Sequence, residues 1–290
     1  MRKRRGWLII ALAATGFAFG SFLTCQGTTE PSDQESIEGL INGEYAAYFN
    51  DGETMGGGGE EGGAGPGDGG TATLPVGWYR ALTYFQRHVT VAVTSPYTKA
   101  DVYVKDDVRG TMYIDRSQNG AWDPGSKPFA VWRERYATFE RANADSPWYL
   151  SAIGIANYNC QDPAKQTVNL TSVRVVSSDG FDKTYADPKT PIPLDELPDF
   201  GAGVSLTVTA VASNVSTAGW TPVSFGFMHH DLVRENMTDK GNQTYEKSYT
   251  VGTRVGVHHG GVDILDAGTL QNQTEDDYNG NAWGLPYHIK

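Results

Sequence analysis

His88-Val89-Thr90-Val91-Ala92-Val93 is the stretch whose reading decides the fold. Val89, Val91 and Val93 fall on one side of an extended chain and His88 and Thr90 on the other, a period of two that a strand satisfies and a helix does not. Moving downstream, Asp101-Val102-Tyr103-Val104-Lys105 and Gly110-Thr111-Met112-Tyr113-Ile114 repeat the pattern, followed by 129–141 and 148–157. Runs of β-branched and aromatic residues separated by turn-forming residues predict an antiparallel sheet. Upstream, 78–87 reads as a short helical piece leading into the strands.

Before it, residues 36–49 carry a helical stripe, with Ile37, Leu40, Ile41, Tyr45 and Tyr48 at three- and four-residue spacing and Ser32 or Asp33 placed to cap the start. The tract 56–70, mostly glycine, can pack nothing and reads as a flexible loop or linker. No Lys-Ser/Thr follows it and no strand precedes it, so a phosphate-cradling loop is excluded.

A second block begins near Thr167. Strands are expected over 168–177, 204–211, 223–228, 244–251 and 262–265, with a proline-rich loop at Pro188, Pro191, Pro193 and Pro198, and with Trp283 to Tyr287 docking as a last strand. A composition shift near Asp162-Pro163 marks the expected boundary. The resulting fold class is mainly β: an α+β cone-like domain over 36–162, made of an N-terminal helix and a curved antiparallel sheet, then an antiparallel β-sandwich over 163–290.

Residues 1–24 read as an export signal. Arg2, Lys3, Arg4 and Arg5 precede an uncharged run that Gly16, Gly20 and Ser21 interrupt too often for a comfortable membrane span. Phe22-Leu23-Thr24-Cys25 resembles a bacterial lipobox, which implies that Cys25 carries lipid and that 25–35 is a tether on a membrane. Cleavage after Ala18-Phe19-Gly20, giving a freely secreted chain, and a retained anchor are the alternatives. With Cys25 lipidated, Cys160 is a lone thiol; with earlier cleavage the two could pair. The formal charge is -11, and removing the four leader cations gives -11 - 4 = -15. A surface that acidic repels phosphate backbones and argues against a nucleic-acid partner.

Two weaker likenesses concern the fold. Ala137-Thr138-Phe139-Glu140-Arg141, a turn, and Trp148-Tyr149-Leu150-Ser151-Ala152-Ile153 resemble the last hairpin of the nuclear transport factor 2-like (ketosteroid isomerase-like) family over roughly 36–159. The glycine tract departs from that family, and a generic α+β sheet domain is the alternative. The resemblance implies an open cone interior in which acid–base chemistry is done, with His88, Tyr103, Tyr113, Arg133 and Tyr136 as candidates. Asp199-Phe200-Gly201-Ala202-Gly203 running into 204–211 is similar to the entry of an immunoglobulin-like sandwich, without the Cys-Trp-Cys pattern of antibody domains.

The sharpest local motif is Asp115-Arg116-Ser117-Gln118-Asn119-Gly120-Ala121-Trp122-Asp123-Pro124-Gly125-Ser126, which resembles an EF-hand-type calcium loop. Asp115, Ser117, Asn119, Ala121 (by its carbonyl) and Asp123 supply hard oxygens, and Gly120 sits at the sharp turn. Ser126 replaces the usual bidentate Glu, which costs affinity; a metal-free hairpin tip is the alternative. His229, His230, His258 and His259 are weaker candidates for a transition metal. Neighbours on a strand face opposite sides, so each pair offers one inward ligand, with Asp231 or Asp263 completing a set. Five sequons, at Asn169, Asn214, Asn236, Asn242 and Asn272, mark glycan sites in an archaeal or eukaryotic exporter and polar positions in a bacterium.

The expected function is that of an exported, lipid-anchored protein on the outer face of a membrane, periplasmic or at the cell surface. It binds a protein or small molecule or plays a structural part, and needs no cofactor beyond an optional Ca2+. The alternative is an exported small-pocket hydrolase, dehydratase or isomerase using the cone interior.

Overall fold

Helix α1 (Asp33–Asn42) begins at a reciprocal cap: the Ser32 hydroxyl accepts from the Glu35 N–H at 3.2 Å and the Glu35 carboxylate accepts from the Ser32 N–H at 2.9 Å. Asp33 is thereby released for another task, accepting from Arg141 (2.9 and 3.2 Å) and from the Trp148 indole N–H (3.0 Å), which fixes the helix start to the sheet. The single helix expected over 36–49 is two, since the chain turns at Gly43 before α2 (Ala46–Phe49). A computed structural model describes residues 32–50, 77–117, 119, 121–213, 223–228, 232–271 and 278–290. The leader with Cys25, the glycine tract, His229, His230 and Asp231 lie outside the described residues.

Three long strands follow: β1 (Gly77–Thr94), β2 (Lys99–Asp115) and β3 (Gly125–Glu140), an antiparallel meander. The short helix expected over 78–87 is the first half of β1. Its helix-like spacing has a physical source: the register slips between Leu82 and Tyr84, and one extra residue puts Leu82 and Phe85 three apart while the backbone stays extended. The strand expected over 148–157 is broken into β4 (Tyr149–Ile153) and β5 (Ala156–Cys160). Gly154 sits at the break because a Cβ there would lie 3.0 Å from both the Pro188 and Tyr136 carbonyl oxygens.

The rest of the chain supplies β6 (Asn169–Ser177), β7 (Asp182–Tyr185), β8 (Ile192–Pro193), β9 (Asp199–Phe200), β10 (Ser205–Ser213), β11 (Val223–Met228), β12 (Leu232–Asn236), β13 (Thr238–Asp239), β14 (Thr244–Thr250), β15 (Gly256–Leu265), the short α3 (Ala267–Gln271) and β16 (Gly280–Ile289). The protein is mainly β. One sheet runs β1-β2-β3-β5-β16-β15-β11-β12, with β4, β8 and β9 attached at its side; the other runs β13-β14-β10-β6-β7. The boundary expected near Asp162-Pro163 does not divide the molecule, because β16 pairs with β5 across it and residues 32–290 form one compact unit. The expected last strand, containing Trp283 to Tyr287, is present as β16, and it lies inside the large sheet between β5 and β15.

The two sheets meet face to face. Val173 and Val175 of β6 and Leu206 and Val208 of β10 share an apolar core with Val262 and Ile264 of β15 and Trp283, Leu285 and Tyr287 of β16. The large sheet also curls, so that Arg80 on β1 reaches Asp263 on β15 (2.6 Å) although β2, β3, β5 and β16 lie between their strands. Inside this curl, α1 covers one end of the meander with Ile37 and Ile41 over Val102, Val104, Ala137 and Phe139. At the other end Met112, Ile114, Phe129, Val131, Tyr158 and Tyr278 form a second core. Gln34 of α1 also bonds to the β1 backbone, donating to the Val89 carbonyl (2.9 Å) and accepting from the Val91 N–H (3.2 Å).

Candidate functional site

The long strands give the molecule two chemically different sides. Even-numbered residues of β2 from Ala100 to Ile114 are buried inside the curl, so Tyr103, Lys105, Asp107, Arg109, Thr111 and Tyr113 face out. Of the candidates for a cone interior, only Arg133 faces in. The register places His88 beside Lys105 and Tyr103 beside Tyr136 on the outer side, together with Tyr113. The alternation was legible, but which parity faced inward was settled by the valines under α1.

The inner side carries buried, paired charges, with Leu82 and Phe85 left exposed beside them. Arg80, 2% exposed, grips Asp263, 3% exposed, with two bonds (2.6 and 3.2 Å), and also donates to the Tyr278 hydroxyl at 2.8 Å. Burial by itself would lower the Arg80 pKa, but the Asp263 carboxylate and Tyr278 outweigh it and hold the guanidinium firmly protonated. Asp106 lies between two arginines, accepting from Arg87 Nε at 3.1 Å and from Arg133 Nε at 2.6 Å. Arg87 continues to the Phe49 carbonyl (3.0 Å), and Arg135 donates to that of Tyr48, so the end of α2 is held by Arg87 and Arg135.

His259 donates to the Tyr48 carbonyl at 3.3 Å, and the Tyr48 hydroxyl lies 2.9 Å from His288 Nε2. His258 faces the opposite way, stacked on Tyr287, as neighbouring strand positions require. Among the described residues no three His, Cys, Asp or Glu side chains gather as a metal site. Cys160 is a free, buried thiol directed at the Gly280 and Tyr278 carbonyls (3.5 and 3.6 Å), and burial pushes its pKa up, away from reactivity. A cavity of about 20 Å³, room for roughly one water, lies between the sheets against Val173, Leu206, Val262 and Trp283.

The β2–β3 hairpin carries the calcium-like loop. Asp115 accepts from the Ser117 N–H (2.8 Å) and the Asp123 N–H (3.4 Å), and the Ser117 amide bond holds its carboxyl below the usual carboxylate range. Asn119 Oδ1 accepts from the Ala121 N–H at 2.8 Å, and Asn119 Nδ2 donates to Asp123 at 3.2 Å. The Ser117 hydroxyl donates to Asn119 Oδ1 (3.1 Å) and to the Ala121 carbonyl (3.4 Å). The loop thus brings Asp115, Ser117, Asn119, Ala121 and Asp123 together, while Ser126 is committed to the ladder opposite Tyr113.

Between Ala121 and Asp123 the loop presents Trp122, 52% exposed. Trp122 packs on Tyr79 (centroids 5.8 Å apart), which stacks on Tyr113 at 4.7 Å with planes 16° apart. Further along the outer side, the Arg109 guanidinium lies over Tyr84 (5.2 Å), itself 42% exposed, and Lys105 lies over Trp132 (4.1 Å). Beyond them Tyr103 packs against Tyr136 at 5.0 Å and donates to Glu134. Polar groups are threaded between these rings: Asp107 accepts from Arg109 (2.8 Å) and Gln161 (2.5 Å), and Asn159 donates to Glu134 at 3.3 Å. The Arg109 bond, ahead of the opposing effect of burial, keeps the Asp107 carboxyl below the ordinary range. Reading by motif passes over this row, because its only signal is aromatic residues recurring at one strand parity.

Fold and surface together define a mainly-β protein with paired buried charges on its inner side and an aromatic, polar outer side. The chain matches no protein-family model and no curated protein.

Proposed function

We propose that this chain is an exported, lipid-anchored cell-envelope protein that acts as a non-catalytic binding module. The observation that carries the reading is the state of the inner side. Arg80 is spent on Asp263 and Arg133 on Asp106, so these buried charges serve the fold by pairing with one another. The leader supports export, with Cys25 as the lipidated residue, and the Asp115-x-Ser117-x-Asn119-Gly120 pattern of the 115–126 loop supports a structural Ca2+.

Mass spectrometry of the mature N-terminus tests the first part. A diacylglyceryl group on Cys25 is expected, and a cytosolic protein that keeps Met1 overturns it. Melting with and without Ca2+ tests the second. A rise in melting temperature that Asp115→Ala or Asp123→Ala abolishes is expected, and identical melting curves overturn it. Turnover of any soluble substrate that depends on Arg133 or His259 would replace the module by the enzyme reading.

A further inference from the structure

We infer that the outer side of β1, β2 and β3 is a track for a neutral polysaccharide chain, with Trp122 as its outermost stacking surface. The inference rests on the binding-module reading and names its ligand class. Three observations point to a sugar polymer. First, the surface alternates rings with hydrogen-bonding groups: the Trp122, Tyr79 and Tyr113 tier, then Tyr84 beside Arg109, then Trp132 beside Lys105, with Glu134, Gln161 and Asn159 between them. A sugar ring has an apolar C–H face and a rim of hydroxyls, and needs this mixture of aromatic faces and planar polar partners.

Second, the charge fits. From Tyr103 to Tyr113 the outward charges are Lys105 and Arg109 against Asp107 and Glu134, two of each sign, on a chain whose formal charge is -11. A locally neutral strip on an acidic molecule neither attracts nor repels an uncharged polymer, whereas a polyanion such as nucleic acid would meet no excess of cations. Third, the strip is long: ten residues of β2 separate Tyr103 from Tyr113, about 33 Å at the rise of an extended strand, with Tyr84 of β1 and Trp132 of β3 flanking it on either side. A short ligand would use one tier; a polymer gains from all of them by linked, individually weak contacts. Trp122 and Tyr84 are 52% and 42% exposed, and Tyr79, Tyr103, Tyr113 and Trp132 are half-buried.

The test is native affinity electrophoresis of the mature full-length protein through gels containing hydroxyethyl cellulose, xylan, galactomannan or dextran, with pull-down on insoluble chitin and cellulose. Binding to at least one of these is expected. Trp122→Ala and Tyr84→Ala should each weaken it roughly three- to tenfold, and Tyr97→Ala, at the tip of the β1–β2 hairpin, should leave it unchanged. Circular dichroism and melting of each variant show that the fold is kept. Binding to none of the probes by a folded protein overturns the track. Light scattering that shows a dimer abolished by Trp122→Ala also overturns it, since the surface then belongs to a second copy. Lipid on Cys25 with no polysaccharide binding defeats the track and leaves the export reading standing. Shortening of a bound polysaccharide does the reverse, keeping the track and removing the non-catalytic reading.

Discussion

The interior between the two sheets and the hollow of the long-strand meander are both buried, and they are built by opposite rules. Between the sheets, Val173, Val208, Val262, Trp283 and their neighbours bring only apolar surface together. Each such side chain contributes about 1.5–3 kcal/mol simply by leaving water, and the arrangement tolerates any shape that fills the space. In the hollow, Arg80 with Asp263 and Asp106 with Arg87 and Arg133 are desolvated at a cost that only correct partners offset. The first region supplies cohesion. The second ties β1 to β15 at one angle of curl and α2 to the floor of the meander.

That contrast can be broken most directly at Asp263. Asp263→Ala takes the carboxylate partner from the buried Arg80 guanidinium and should cost about 3–5 kcal/mol in urea unfolding. Replacing both partners, Arg80→Met with Asp263→Leu, should recover most of that loss. A single substitution costing under about 1 kcal/mol would show that water reaches the pair. Leu206→Ala, in the dry core, should cost about 3 kcal/mol with no partner change able to rescue it. Gly110→Ala comes next, at about 1–3 kcal/mol. A Cβ there would lie 2.1 Å from the Ala81 carbonyl oxygen and 2.7 Å from the Phe129 ring, so β1 and β2 must part near the bulge.

The smallest effect belongs to the outer side and to pH. Asp107 and Asp115 have lowered pKa values, so their bonds stabilise the fold fully above the ordinary value of about 3.8 and lose that contribution as pH falls through the lowered values. Melting temperature should therefore be flat from pH 7 to 5 and decline below about 4, with Asp107→Asn showing a shallower decline. The same acid branch in that variant and the parent protein would assign the loss to other carboxylates.

Much of this architecture is written in local pattern. Val89, Val91 and Val93 announce their strand, Ser32 its helix, and 115–126 its oxygen-lined turn, because each feature depends on residues a few positions apart. What escaped depends on distance or on a slip in phase. One inserted residue at the Leu82/Tyr84 bulge disguised half a strand as a helix. Arg80 and Asp263 stand 183 residues apart in the chain, and neither has a neighbour in sequence that announces the other. The outer aromatic row lay in view as Tyr103 and Tyr113, of opposite parity to Val102 and Met112. It acquires meaning only once the register aligns it with Trp132 and Tyr79.

Gln34 has a role beyond its two bonds to Val89 and Val91. A strand as long as β1 at the rim of a sheet is a template on which another chain can crystallise its own backbone, and the amide occupies that template at its regular end. Proteolytic trimming of the tether through Gln34, or Gln34→Pro, would uncover it and turn a lone subunit into a seed for fibrous growth, visible as thioflavin fluorescence that the intact chain does not develop.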